Sequence, residues 1–246
     1  LEVSGGADIW HKEAAEVVVE ASDGSNGSQI AEIICKTGEK IVGKSSKGAE
    51  KFVITESSQN GESTTVTIIA TDYAGNQTVV TDRVFVDRDA PKALIQGVED
   101  YTITSKPVQV SYLAEEENVI QTVRANILKE DIDGKKEETE ITEWKTKSRN
   151  ESGDTKKESV QTLAEDGLYK LRMNVTDMAG NVSHAERQLI IDKENPVIAH
   201  VDELDGKYLK KFSWNYSIEE SIKDFTNYTY VMKVDDAFYR PGEKIE

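Results

Sequence analysis

The chain has 246 residues, with 30 Lys and Arg against 46 Asp and Glu, and a net charge of -16. Nucleic acid and anionic membranes repel a chain with this much negative charge. Neither is therefore an expected partner. No apolar run approaches the roughly 18 residues of a membrane span, and the opening residues do not read as a signal peptide. The length suits two domains and part of a third rather than one compact enzyme.

The first unit reads as a series of short strands separated by turn residues. Apolar runs at residues 17–21, 30–36 and 52–55 predict strands, and the polar stretches between them predict turns. Cys35 is the single cysteine of the chain, so an intrachain disulfide is excluded. Because Cys35 follows Ile33 and Ile34 in a strand-like run, we interpret it as a small core residue rather than a reactive thiol.

The motif Thr71-Asp72-Tyr73-Ala74-Gly75-Asn76 lies between an alternating strand at 65–70 and a second strand at 79–86. This order predicts a hairpin turn in which Gly75 and Asn76 occupy positions that tolerate positive φ. Asp72 is then placed to accept hydrogen bonds from N–H groups of the turn. A ligand-binding role for Asp72 is the alternative, although no second carboxylate, His or Cys lies within a few residues.

The same motif returns 105 residues later as Thr176-Asp177-Met178-Ala179-Gly180-Asn181. Structural turn roles are therefore predicted for Asp177, Gly180 and Asn181 as well. Asp87 and Asp192 each lie 11 residues past the Asn, and Pro91 and Pro196 lie 15 past it. A unit of about 100 residues is the size of one immunoglobulin-type β-sandwich.

This period predicts about two and a half repeats, with units at residues 1–87, 88–194 and 195–246. The opening Pro of the first unit would fall before residue 1, so that unit is expected to lack its first strand. The second unit carries a charged insertion near residues 130–158, which contains Trp144. We interpret the insertion as a long solvated hairpin or disordered loop; the alternative is a contact surface around Trp144. In the third unit, alternating aromatic residues predict strands at 212–218 and 228–234.

A strand ending in T-D-x-A-G-N, a second strand, then Asp and Pro opening the next unit, resembles the bacterial Ig-like domains found in tandem in large surface proteins. The resemblance implies tandem all-β immunoglobulin-like sandwiches, an extracellular setting at the bacterial cell surface or in secreted form, and a stalk or adhesin role. The run Asp166-Gly167-Leu168-Tyr169 also resembles the signature of an immunoglobulin strand, in which Tyr169 would form a tyrosine corner.

Catalytic chemistry is not expected. His11, His184 and His200 fall in three different units, and the sequence has no nucleophile elbow, phosphate loop or metal-spaced His pair. No cofactor is expected either. The acidic links offer weak calcium candidates at Asp87, Asp89, Asp192 and Glu194, but two carboxylates per link fall short of the six to eight oxygens that calcium takes.

The function predicted from these observations is a non-enzymatic spacer or stalk whose partners are neighbouring Ig-like repeats of the same chain. Two alternatives stay open. The domains could be an adhesin that binds a host protein or glycan, or an accessory module of a secreted carbohydrate-active enzyme.

Overall fold

A computed structural model describes residues 1–5, 9–145, 154–195, 232–234 and 237–239. These residues form β-strands joined by turns, and no helix is found among them. No stretch of the described chain therefore forms a helix that could cross a membrane. The strands build two sandwiches, one after the other along the chain.

The first sandwich pairs a three-stranded sheet with a five-stranded sheet. The strands are β1 (Glu2–Ser4), β2 (Trp10–His11), β3 (Ala15–Glu20), β4 (Ile30–Thr37), β5 (Lys40–Ser45), β6 (Ala49–Ile54), β7 (Thr64–Asp72) and β8 (Gln77–Val86). The smaller sheet has the order β1-β3-β6, and the larger has the order β2-β8-β7-β4-β5. Alternate residues of both sheets point inward, as the period of two in the sequence predicts.

The second sandwich repeats this arrangement strand for strand. Its strands are β9 (Lys92–Gln96), β10 (Thr102–Thr104), β11 (Val108–Glu115), β12 (Ile120–Glu130), β13 (Lys136–Lys145), β14 (Lys156–Leu163), β15 (Gly167–Asp177) and β16 (Val182–Ile191). The orders are β14-β11-β9 and β10-β16-β15-β12-β13. The predicted all-β fold of tandem immunoglobulin-like sandwiches is thus confirmed.

Each sandwich has its own apolar core. Val17, Ile33 and Ile68 are fully buried in the first core, and Tyr112 and Leu171 are buried in the second. Cys35 lies in the first core, where burial, followed by the nearby charge of Glu56, raises the pKa of its thiol to about 11. A thiol with so high a pKa is poorly ionised and unreactive at neutral pH.

The expectation that the first unit lacks its first strand is wrong. Glu2–Ser4 forms β1, which pairs antiparallel with β3 as β9 pairs with β11. Gly5 and Gly97, which follow these strands, have φ values of 98° and 90°. A Cβ at either glycine would lie 2.3 or 2.2 Å from a carbonyl oxygen of the neighbouring strand. Only glycine fits this close approach, so the two sandwiches begin in the same way.

Much of the charged insertion near residues 130–158 is a regular hairpin. β12 and β13 pair antiparallel through a turn at residues 131–135, and residues 146–153 lie outside the described chain. Trp144 packs against the second core, and the Lys157 ammonium lies 4.3 Å from its ring centroid. Trp144 is therefore held by structural contacts, which favours the hairpin interpretation over a free contact surface.

The predicted strand at residues 212–218 falls outside the described chain, as does most of the one at 228–234. Near them, β17 (Met232–Val234) and β18 (Ala237–Tyr239) form an antiparallel pair.

Tyr169 forms the corner that its sequence context predicts. Its hydroxyl donates a hydrogen bond of 2.7 Å to the carbonyl oxygen of Glu165, and its ring is buried in the second core. Burial of the phenol raises the pKa of Tyr169. The bond fixes the entry of β15 against the preceding chain.

Replacing Tyr169 by Phe should therefore lower the free energy of unfolding by about 1 kcal/mol, because the partly buried hydrogen bond from the phenol to the Glu165 carbonyl is lost. Chemical denaturation of the full chain measures the loss. Tyr101→Phe is the matched control, since Tyr101 is 72% exposed. Equal effects of the two substitutions would show that the corner contributes nothing.

Candidate functional site at the joint between the sandwiches

The turn between β7 and β8 is closed by the side chain of Asp72. Its Oδ1 accepts a hydrogen bond of 2.8 Å from the Asn76 backbone N–H, and its Oδ2 accepts one of 2.8 Å from Asn76 Nδ2. Gly75 has a φ of 90°, and its N–H donates to the Asp72 carbonyl at 3.1 Å. The carboxylate thus fixes both the backbone of the turn and the orientation of the Asn76 amide.

The turn between β15 and β16 has the same geometry. Asp177 Oδ1 and Oδ2 accept from the backbone N–H and Nδ2 of Asn181, both at 2.8 Å, and Gly180 has a φ of 89°. An added Cβ at Gly180 would meet no atom within 4 Å. The requirement for glycine here is therefore conformational rather than steric.

The two turns differ in what covers them. Tyr73, Ala74, Gly75 and Asn76 are exposed, whereas Asp177 is 0% and Asn181 2% exposed. Gly180 remains exposed, whereas Asp177 and Asn181 are buried because their side of the turn lies against the end of the first sandwich. There, Asn181 Nδ2 donates a hydrogen bond of 2.9 Å to the backbone carbonyl of Asp87. The motif that closes a hairpin in the second sandwich therefore also binds the chain that leaves the first.

A second contact crosses between the sandwiches beside the first. The Gly61 N–H donates a hydrogen bond of 3.1 Å to Oδ1 of Asn118, which is 5% exposed. The Met178 N–H donates to the Val119 carbonyl at 3.1 Å, which ties this loop to the turn at 177–181. We call residues 60–61, 87–89, 116–119 and 177–181 the joint.

The link residues Asp87 and Asp192 have equivalent roles in the backbone. The N–H of Asp87 donates to the His11 carbonyl at 2.9 Å, and the N–H of Asp192 donates to the Thr104 carbonyl at 3.0 Å. The Oδ1 atoms accept the N–H of the residue two positions on, Asp89 at 3.1 Å and Glu194 at 3.2 Å. Asp87 and Asp192 thus turn the chain after the last strand of each sandwich, while the side chains of Asp89 and Glu194 are exposed.

The pKa values of the two Asp side chains that close the turns shift in opposite directions, because only one of these side chains is buried. The side-chain hydrogen bond from Asn76 lowers the pKa of Asp72. At Asp177, loss of hydration raises the pKa by more than the bonds from Asn181 lower it. The charge of Asp87 raises the pKa further. The bonds from the Asn are common to both turns, so the largest difference is the burial of Asp177 at the joint; Asp72 also gains smaller pKa-lowering bonds from Ala74 and Ser28.

Glu116 is the third carboxylate of the joint. Burial raises its pKa, and the charges of Asp87 and Asp177 raise it further. Its Oε1 accepts the N–H groups of Glu117 at 2.7 Å and Asn118 at 3.1 Å. The Oδ2 atom of Asp87 is buried without a hydrogen-bond partner. The joint therefore brings negative charges together, and the described residues include no group of three His, Cys, Asp or Glu arranged to hold a metal ion.

The structure brings together some of the predicted site residues and separates others. Asp87, Asp177 and Asn181 meet at the joint, whereas Asp72, Gly75 and Asn76 lie at the far end of the first sandwich. Sequence reasoning missed Gly61, Glu116 and Asn118. The signal that could have found Asn118 is its place just before β12, at the same end of the sandwich as the second turn.

The fold and joint define a tandem immunoglobulin-like protein, and the sequence agrees for part of the chain. Residues 117–193, which span β12 to β16 and the turn at 177–181, match the family described as Bacterial Ig-like domain. The resemblance drawn from the repeated motif is thus confirmed over this segment. Among curated proteins, none matches the chain.

Three solved structures are similar in fold, each over 78% of this chain. The fibronectin(III)-like modules of CbhA from Clostridium thermocellum share 9% identity over 93% of their chain, with a TM-score of 0.35. Murine CEACAM1b shares 13% identity over 100% of its chain, with a TM-score of 0.38. The FN1-FN3 domains of chicken CNTN1 share 14% identity over 66% of their chain, with a TM-score of 0.28.

The two Asn residues of the repeated motif offer a matched pair of substitutions. Asn181→Ala should lower the stability of the second sandwich by on the order of 2–3 kcal/mol, because it leaves buried acceptors on Asp177 and Asp87 unpaired. Asn76→Ala should cost about 1 kcal/mol, because water can replace its amide. Thermal melting of the full chain measures both. A cost at Asn76 as large as that at Asn181 would contradict the contribution of the joint.

Glu116→Gln should stabilise the chain at neutral pH by up to about 1 kcal/mol, since Gln keeps the acceptor oxygen and removes a charge that burial and then the charges of Asp87 and Asp177 disfavour. A raised carboxyl pKa in the folded state means that stability decreases as pH rises through that pKa. The gain should therefore shrink as pH falls into the range where Glu116 is protonated. Glu117→Gln, at an exposed neighbour, should show no such pH dependence in parallel melts. A gain independent of pH would rule out the charge explanation.

Proposed function

We propose that the chain is a non-enzymatic spacer, in which immunoglobulin-like sandwiches are joined at a fixed angle. The observation that carries the proposal is the buried hydrogen bond from Asn181 to the Asp87 carbonyl, accompanied by the bond from Gly61 to Asn118. Domains in tandem move relative to one another by default unless their interface resists it. Here, movement would leave buried polar groups without a hydrogen-bond partner, which costs about 1–3 kcal/mol for each group.

The proposed setting is outside a bacterial cell, either on the surface or in a secreted protein. The match of residues 117–193 to the Bacterial Ig-like domain supports this setting. The single cysteine is buried and the sandwiches hold together without a disulfide. Neighbouring repeats of the same chain are the proposed partners, since the Asp-closed turn and the Asp link that meet at the joint recur in both sandwiches.

An adhesin role for the charged hairpin has less support. Trp144, the aromatic residue on which that alternative depended, packs against the second core beneath Lys157. A ligand would have to displace these contacts before it could use the ring. We therefore propose that the hairpin stabilises the second sandwich.

Stiffness of the joint can be tested in the full chain by small-angle scattering. Asn118→Ala combined with Asn181→Ala should increase the spread of conformations, because the hydrogen bonds that these two side chains make to the first sandwich are lost. Asn76→Ala is the matched control, since it changes the same motif away from the joint. Scattering that is unchanged by the double substitution would contradict a spacer of fixed angle.

Calcium should not be needed for this stiffness. Asp87 Oδ1 already accepts the Asp89 N–H, and calcium takes six to eight oxygens. Chelation should leave the melting temperature and the radius of gyration unchanged. A calcium-dependent extension that is abolished by Asp87→Asn with Asp192→Asn would instead make the chain a cation-stiffened stalk.

A further inference from the structure

The end of the first sandwich has the same framework as the end of the second sandwich that forms the joint. In the second sandwich, Ile120 pairs with Asp177, and the Met178 N–H donates to the Val119 carbonyl at 3.1 Å. In the first sandwich, Ile30 pairs with Asp72, and the Tyr73 N–H donates to the Gln29 carbonyl at 3.1 Å. The loop before β4 and the turn after β7 are thus held together as their counterparts are at the joint.

We propose that residues 28–29 and 73–76, here called the free end, form a docking surface for another Ig-like sandwich that precedes the first one. The occupant is a sandwich whose last strand runs into an Asp-x-Asp link, like Asp87-Arg88-Asp89. The side-chain amide of Asn76 donates to the backbone carbonyl of the first Asp in that link. This inference rests on the proposed spacer function and names the surface through which the spacer extends.

The chemistry of Asn76 supports this assignment. A side-chain amide has two N–H donors, and the Asp carboxylate takes one in each turn. At Asn181 the amide also donates to the Asp87 carbonyl at 2.9 Å. At Asn76 the same orientation is already set by Asp72, while the residue is exposed. The donor is therefore fixed in direction before any partner arrives, which lowers the entropic cost of docking.

The residues around Asn76 also include an exposed aromatic side chain that a docked sandwich could cover. Tyr73 is 71% exposed, whereas its counterpart Met178 is partly covered at the joint. A docked sandwich would cover the Tyr73 ring in the same way. The second contact of the joint is not repeated, because Ser28 stands in the place of Asn118 and its hydroxyl already accepts the Ala74 N–H at 3.2 Å. Docking at the free end therefore depends on Asn76 more than the joint depends on Asn181.

The test extends the full chain by a second copy of residues 1–92 placed before Leu1. Gly5 matches Gly97 in position and φ, so Lys92 of the added copy runs into Leu1 as Lys92 runs into Ala93 at the natural joint. The extended molecule holds an added joint, which contains Asn76, and the natural joint, which contains Asn181. Each joint serves as the reference for the other.

Pulsed electron spin resonance measures the distance distribution across each joint. Spin labels at Val53→Cys of the added copy and Ile41→Cys of the original first sandwich span the added joint. Labels at Val53→Cys of the original copy and Val160→Cys span the natural one. All three positions are exposed, whereas Cys35 is buried and will not react under native conditions.

Both joints should give one narrow distance peak. Asn76→Ala in the original copy should abolish the narrow peak at the added joint alone, and Gln77→Ala, at the exposed neighbour, should leave both peaks unchanged. A broad distribution at the added joint beside a narrow one at the natural joint would overturn this inference alone. Broad distributions at both joints would overturn the proposed function and the inference with it.

Discussion

The joint depends on a buried side-chain amide that must keep its acceptors. Asn181 lies out of water, fixed on one side by the Asp177 carboxylate and on the other by the Asp87 carbonyl. If the sandwiches rotate apart, the Asp87 carbonyl and an amide N–H lose their partners unless water enters between them. A modest number of polar contacts can therefore define an angle that a small apolar interface would leave free.

The same six-residue motif performs two tasks, and its surroundings decide whether the second is used. In both sandwiches, Asp, Gly and Asn close a hairpin with hydrogen bonds that agree to within a few tenths of an ångström. Only where another sandwich covers the turn does the Asp lose hydration enough to raise its pKa. The joint is therefore destabilised by the negative charges that it brings together, those of Asp87, Glu116 and Asp177. Such a cost is typical of polar contacts that specify geometry more than they add stability.

The sequence predicts strands and turns better than it predicts contacts between residues far apart in the chain. Alternation of apolar residues predicts the strands, and the motif predicts the Asp-closed turn, because both depend on neighbours in the chain. The bond between Asn181 and Asp87 joins residues 94 apart, and no local pattern encodes it. Asn118 and Glu116 were missed because they lie in an acidic run that resembles a solvated loop.

The missed strand β1 has a different cause. The two turns lie 105 residues apart, but Gly5 and Gly97 lie only 92 apart, chiefly because the hairpin of β12 and β13 is longer than that of β4 and β5. A period taken from the spacing of the two turn motifs therefore places the predicted start of the first sandwich before residue 1. Strand order, which both sandwiches share, is the more reliable guide to where each begins.

If the joint holds the two sandwiches as one body, they must rotate together in solution. Nuclear spin relaxation of backbone amides in the full chain measures how each sandwich tumbles. Amides of β7 and β15 should report the same rotational diffusion tensor, as parts of one body. Separate, faster tumbling of the two sandwiches, with no change on replacing Asn181 by Ala, would contradict a joint that holds them as one body.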